Sequence, residues 1–225
     1  MKIYAHRGSS LKFPEMSLLA YKGAIEEGAD GFECDVRLTK DNQLVLWHDP
    51  DLKRITGNKA RIADSTFKEI KREHPGVITL EELLILARDF KKEMAIETKH
   101  PVPTANVVEK AVMQLLSQEK RTSQIYIMSF SWLAIEKIRK INPEQKTVAL
   151  LSDKYSLPMR RFTSATAIGP SISAFAKNAS LKQDPRQLFV WSVDDAKDVL
   201  FCADNGVDVL ITNNPSNARS VLGYH

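Results

Sequence analysis

The sequence predicts an α/β protein, a (β/α)8 TIM barrel with a small inserted cap segment, and three observations carry that prediction. Short apolar runs alternate with helix-patterned runs along nearly all of the 225 residues, as in a parallel sheet covered by helices. About eight such steps occur, and an eightfold closed barrel of this length is a common solution. No Gly-x-Gly-x-x-Gly or phosphate-loop pattern supports the open, doubly wound alternative. The whole chain, 1–225, then reads as one domain.

The elements follow in order. Ile3 to Ala5 is a short strand, and Ser17 to Glu27 a helix that Gly28 stops. Gly31 to Val36 and Leu44 to Trp47 are strands, the second entered through the turn Lys40-Asp41-Asn42. Thr79 caps a helix over Glu81 to Phe90, and Glu93 to Ile96 begins the next strand. Helices at Ala105 to Gln118 and Trp132 to Lys140 alternate with strands at Gln124 to Met128 and Thr147 to Leu151. Ala165 to Ile168, Leu188 to Trp191 and Asp208 to Ile211 are the remaining strands. Helices over Asp195 to Asp204 and Pro215 to Leu222 complete the pattern. Asp51 to Ile78 breaks the rhythm and reads as an insertion over one end of the barrel. Its seven basic side chains are expected to be a solvated surface for the most part.

Composition narrows the function. A formal net charge of +4 is mild and spread along the chain, which argues against nucleic acid and suits a small anionic substrate. Two distant cysteines, Cys34 and Cys202, form neither a disulfide framework nor a zinc spacing. No apolar run reaches the roughly 18 residues of a membrane span, and no signal-peptide stretch opens the chain. The expectation is a cytoplasmic protein without stable membrane insertion, a monomer or homodimer.

Chemistry concentrates in three clusters that each follow an apolar run: His6-Arg7-Gly8, Glu33-Cys34-Asp35 and Glu97-Thr98-Lys99. In a strand, residues i and i+2 share a face, so Glu33 and Asp35 project together, as do Glu97 and Lys99. Cys34 points to the helix layer. Barrel active sites are built at such C-terminal strand ends. An isolated acidic pair would be explained by ion pairs with Arg7, Arg37 or Lys99. Three acids beside two histidines favour a cation, and oxygen-only ligands select a hard one, Mg²⁺ or Ca²⁺, with Mn²⁺ tolerated. His6 and His48 form the natural proton-transfer pair, since an imidazole titrates near pH 6.5. Glu33, Asp35 and Glu97 bring three negative charges; a divalent cation with Arg7 and Lys99 brings four positive ones. That small surplus suits a monoanionic phosphodiester.

These motifs are recognisable. Ala5-His6-Arg7-Gly8, Pro14-Glu15, the run Gly28 to Val36 and Trp47-His48-Asp49 resemble the glycerophosphodiester phosphodiesterase family. The match resumes at Ile78 to Glu82 and Ile96 to Lys99, and more thinly at Trp191 to Asp194 and Gly206 to Thr212. The resemblance implies a barrel capped by roughly residues 51–78, and a divalent metal on Glu33, Asp35 and Glu97. It also implies His6 and His48 as acid and base, Arg7 and Lys99 on the phosphate, and cleavage of glycerophosphodiesters to glycerol 3-phosphate and an alcohol. Several positions depart from the family pattern. Met16 stands where Asn usually follows Pro-Glu. The Trp-Thr-Val-Asn pattern becomes Trp191-Ser192-Val193-Asp194, and Asn213 follows Thr212 where Asp is frequent. Asp194 is thereby expected to alter headgroup preference.

Glu15 is expected to hold Arg7 or a loop amide rather than the metal, and Trp191 either stacks on the ligand or caps the core. Phe13, Phe130 and Phe175 are candidates for an apolar rim. Two other functions remain open: lysophospholipase D-type cleavage of lysophospholipids, and a non-catalytic barrel that binds glycerol phosphate.

Overall fold

A computed structural model describes residues 1–101, 107–119, 123–151 and 161–224. Eight parallel strands close on themselves: β1 (Lys2–His6), β2 (Gly31–Leu38), β4 (Glu93–Thr98), β5 (Ile125–Ser129), β6 (Lys146–Leu151), β7 (Ala167–Pro170), β8 (Gln187–Val190) and β9 (Val209–Thr212). Closure is made by β1, which pairs with β9 on one side and β2 on the other. The α/β alternation that predicts a TIM barrel therefore yields one.

Large and small side chains interdigitate inside the barrel. Tyr4, Tyr126 and Phe189 fill its middle against Ala95, Ala167 and Val148, and Tyr126 and Phe189 meet edge on at 4.7 Å. Gly31 leaves that space to Tyr4: a Cβ there would lie 2.6 Å from the tyrosine ring. The outer faces of the strands carry Ile3, Phe32, Cys34, Ile96 and Leu210 into the layer beneath the helices. Those helices include α1 (Leu18–Glu26), α4 (Leu80–Asp89), α5 (Val107–Gln118), α6 (Trp132–Ile141), α8 (Ala196–Asp204) and α9 (Pro215–Leu222). None of the described helices is long and apolar enough to cross a membrane.

Several expectations are corrected at the level of elements. The strand expected at Leu44 to Trp47 is β3 (Leu44–Leu46), and it is not a barrel strand. β2 runs beyond the barrel rim, and β3 pairs antiparallel with that overhang, Val36 opposite Leu46. The following segment has its own core of Val45, Trp47, Leu52, Ile62, Ile70 and Val77. It folds into two short helices, α2 (Lys53–Thr56) and α3 (Phe67–Glu73), in a stretch with no expected helix. The signal for α3 was present: Thr66 and Glu69 form a reciprocal capping box. α7 (Ile172–Lys177), capped by Ser171, was likewise unexpected. β7 lies two residues beyond its expected start, because Thr166 is still engaged side-on with Thr147. The first two residues of the helix expected from Ala105 lie outside the described residues, and α5 is described from Val107.

Candidate active site

The site begins where β1 ends. His6 is the last strand residue, and the chain then turns through Arg7 at φ 57° and Gly8 at φ 81°. Left-handed backbone at a non-glycine residue is strained, and such strain clusters at functional sites. Gly8 is required twice over. Its φ suits glycine, and a Cβ there would lie 2.6 Å from both the carbonyl carbon and the Cβ of Ala20 on α1. Gly8→Ala should therefore cost about 3 kcal/mol or more and lower the thermal midpoint by roughly 6–12 °C. A melt within about 2 °C of the wild type would show that α1 gives way freely.

β2 and β4 supply the acids. Asp35 pairs in register with Glu97, and Glu33 lies one pleat below on the same inward face. All three carboxylates are buried, and each offers an oxygen within 4.8 Å of the others. Burial, then the neighbouring Asp35, pushes Glu97 up to about 7 and Glu33 well above the ordinary glutamate range. Asp35 goes the other way. Burial would raise it, but Lys99 and Arg7 outweigh that and hold it below the usual aspartate value. Lys99 Nζ lies 2.7 Å from Glu97 and 3.3 Å from Asp35, and Arg7 Nε lies 2.9 Å from Asp35.

The donor set fits a hard divalent cation. Both oxygens of Asp35 and Arg7 Nε are fully buried, yet none is aligned in a hydrogen bond, despite the short Arg7–Asp35 approach. Buried carboxylate oxygens left this way cost free energy that a cation would recover. When all three acids are ionised they exceed the two cations by one negative charge, and oxygens are the only donors in the triangle.

The two histidines line the same cavity. His6 Nδ1 sits 2.8 Å from Asn213 Oδ1, and its Nε2 is 3.8 Å from Glu33. His48 enters from the loop after β3, whose antiparallel pairing with the end of β2 brings the chain back alongside Asp35, where Trp47 N–H meets the Asp35 carbonyl. Arg37 fixes that loop, donating from Nε (3.0 Å) and Nη2 (2.8 Å) to the His48 carbonyl, so it pairs with none of the clustered acids. His48 Nδ1 lies 2.9 Å from Asp49 Oδ1; Arg54 of α2 bridges Asp49 to Glu15, and Glu15 reaches Arg7 at 3.3 Å. Glu15 thus holds two arginines and stays off the cavity. Burial, reinforced by neighbouring cations, depresses both imidazoles below their ordinary value.

The cavity, about 260 Å³, is lined on its charged side by His6, Arg7, Glu33, His48, Glu97 and Lys99. Met128, Phe130, Leu150, Trp191 and Ile211 form an apolar side opposite. Trp191 both donates to the Gly169 carbonyl at 2.7 Å and presents its ring to Phe130. Of the three phenylalanines considered for a rim, Phe130 alone lines this cavity. Phe175 is buried against Phe201, and Phe13 lies against Gly23 of α1. Asp194 does not face the cavity: its carboxylate accepts hydrogen bonds from Thr212 and Asn213. Sequence reasoning named Asp49, Arg37 and Asn213 and counted Arg54 among the basic residues of the insertion, but missed what each does: Asp49 and Asn213 engage the two histidines, Arg37 fixes the His48 loop, and Arg54 bridges Asp49 to Glu15.

A closed parallel barrel whose mouth joins two imidazoles, two cations and three buried acids has the groups that acid–base chemistry on a small anionic substrate would need. The Glycerophosphoryl diester phosphodiesterase family model matches residues 6–217. The "Probable glycerophosphodiester phosphodiesterase 1" of Mycobacterium tuberculosis is 33% identical, over 98% of this chain and 92% of that protein. The glycerophosphodiester phosphodiesterase of Thermotoga maritima is 28% identical, with a TM-score of 0.79 and 95% of both chains covered. An Oleispira antarctica phosphodiesterase in complex with the product sn-glycerol-3-phosphate shares the fold, with a TM-score of 0.88 at 21% identity over 99% of this chain and 97% of that one. The chain belongs to the glycerophosphodiester phosphodiesterase family, a family of hydrolases.

Proposed function

We propose that this enzyme hydrolyses glycerophosphodiesters to sn-glycerol 3-phosphate and an alcohol at the barrel mouth. The observation that carries the reading is one cavity lined by both histidines, both cations and two of three buried acids that lie within 4.8 Å of one another. The sn-glycerol-3-phosphate held by the Oleispira neighbour supports the substrate class.

Glu33, Asp35 and Glu97 would hold one divalent cation, Mg²⁺ or Ca²⁺. When bound, that cation supplies charge neutralisation to the phosphate oxygens. Arg7 and Lys99, already at the acids, add donors to the same anion and stabilise the charge that grows in the transition state. His6 and His48 each have Nδ1 engaged, which leaves each Nε2 for proton transfer. One imidazole takes the proton of the glycerol hydroxyl that attacks phosphorus while the other delivers a proton to the leaving alcohol oxygen; water then opens the cyclic phosphate to glycerol 3-phosphate with the two roles reversed. Asp49, a carboxylate, stabilises an imidazolium better than the amide of Asn213 does, so His48 is the imidazole that starts protonated and donates, and His6 the one that starts neutral and accepts. Glu15, Asp49 and Arg54 keep Arg7 and His48 in register.

One observation favours lysophospholipids as a second substrate class: the apolar wall reaches the rim at Phe130, which is 41% exposed. Glycerophosphocholine and lysophosphatidylcholine, assayed side by side with each metal, separate the two. Turnover of the soluble diester at least as fast is expected. A strong preference for the lysolipid would favour the second reading. Tight glycerol-phosphate binding with no turnover of either would leave a binding barrel.

A further inference from the structure

We propose that Asp194 and Asn213 act together as positioning residues, fixing His6 with its proton on Nδ1 and its Nε2 lone pair toward the cavity. The proposal rests on the reading of His6 as a proton-transfer group. It begins from a carboxylate and an amide that are in contact beside His6. Asp194 and Asn213 lie 19 positions apart, and Asn213 Nδ2 donates to Asp194 Oδ2 at 2.6 Å.

The donor pattern then determines the rest. Asp194 Oδ1 accepts from Thr212 Oγ1 and from the Asn213 backbone N–H, both at 2.8 Å, so the carboxylate is held on three sides. A carboxylate only accepts. The Asn213 amide must therefore turn its NH₂ toward Asp194; the reverse orientation would set two acceptor oxygens 2.6 Å apart. Its Oδ1 consequently faces His6 Nδ1 at 2.8 Å, with Ser10 Oγ also 2.8 Å away. An amide oxygen cannot donate, so Nδ1 must carry the hydrogen. A neutral imidazole has one ring proton, which leaves Nε2 bare on the side where Glu33 lies 3.8 Å away. Ser192 Oγ is a more distant neighbour of Nδ1 at 3.5 Å. Thus Asp194, which does not line the cavity, decides which nitrogen of His6 meets the substrate.

Long-range ¹H–¹⁵N spectra of the full-length protein at pH 8, with labelled histidine, read the tautomer directly. His6→Ala assigns the signals. Wild type should show the Nδ1–H form. Asp194→Asn, and Asn213→Leu more strongly, should give a mixture and lower kcat about tenfold with KM within about twofold. The Asp194→Asn, Asn213→Asp double variant restores a complementary pair, and should recover both the Nδ1–H form and most of kcat. An Nε2–H form in the wild type, or an unchanged tautomer in both single variants, overturns the proposal. Full turnover by His6→Ala would instead sink the catalytic reading of His6, because the spectra judge the relay without any turnover.

Discussion

His6→Ala and His48→Ala should each lower kcat by about 100- to 10,000-fold, the usual contribution of a positioned acid or base. Neither side chain holds the fold. His6 is followed by a turn anchored through backbone contacts, Arg7 N–H to the Glu33 carbonyl and Met16 N–H to the Arg7 carbonyl, which alanine at position 6 leaves in place. The loop of His48 is fixed through its carbonyl by Arg37, and an alanine keeps that carbonyl. Thermal midpoints should therefore move by no more than about 3 °C, since about 1 kcal/mol shifts a domain of this size by roughly 2–4 °C. The double variant should lose little beyond the worse single one, because residues that act as a unit are not additive. Either single variant retaining a third of wild-type kcat would remove that histidine from the proton-transfer pair.

Asn213 shows where sequence reasoning stops. Glu33, Asp35, Glu97 and Lys99 were legible because the two-residue period of a strand places them on one face without further knowledge. The barrel was legible for a similar reason, since alternation of strand and helix is a local pattern. Arg37 shares the alternation of β2, but what decides its role is an antiparallel partner strand outside the barrel, and β3 could not be told from a barrel strand by its apolar run. Asn213, Asp194 and His6 meet only because β9 closes the barrel against β1, a contact across some 207 positions. Arg54 is one more basic residue in a basic segment until α2 sets it between Asp49 and Glu15. Period and motif reveal the residues that share a face; the groups that orient them arrive through tertiary closure.

Divalent metal should govern both activity and stability, with a pH dependence of defined sign. Chelation should abolish turnover, and Mg²⁺ or Ca²⁺ should restore it. Glu97 rises on folding from an ordinary 4.5 to about 7, chiefly through burial, and Glu33 moves the same way. A carboxyl raised on folding adds stability that is complete below its unfolded value and is lost as pH climbs through the folded value. The metal-free protein should thus lose stability between about pH 4.5 and pH 7, as burying Glu97 becomes the burial of a charge. Asp35 is depressed, so its contribution is lost only at more acid pH and leaves that window alone. A cation competes with those protons and binds best where both glutamates are ionised. At about one hundred times its Kd it adds about 2.7 kcal/mol, or roughly 5–10 °C in the thermal midpoint. That gap should be wide at pH 7.5 and nearly closed at pH 5. Glu97→Gln should flatten it by removing both the titration and a ligand. A gap equal at both pH values, or full turnover in excess chelator, would show that these three acids do not hold the ion.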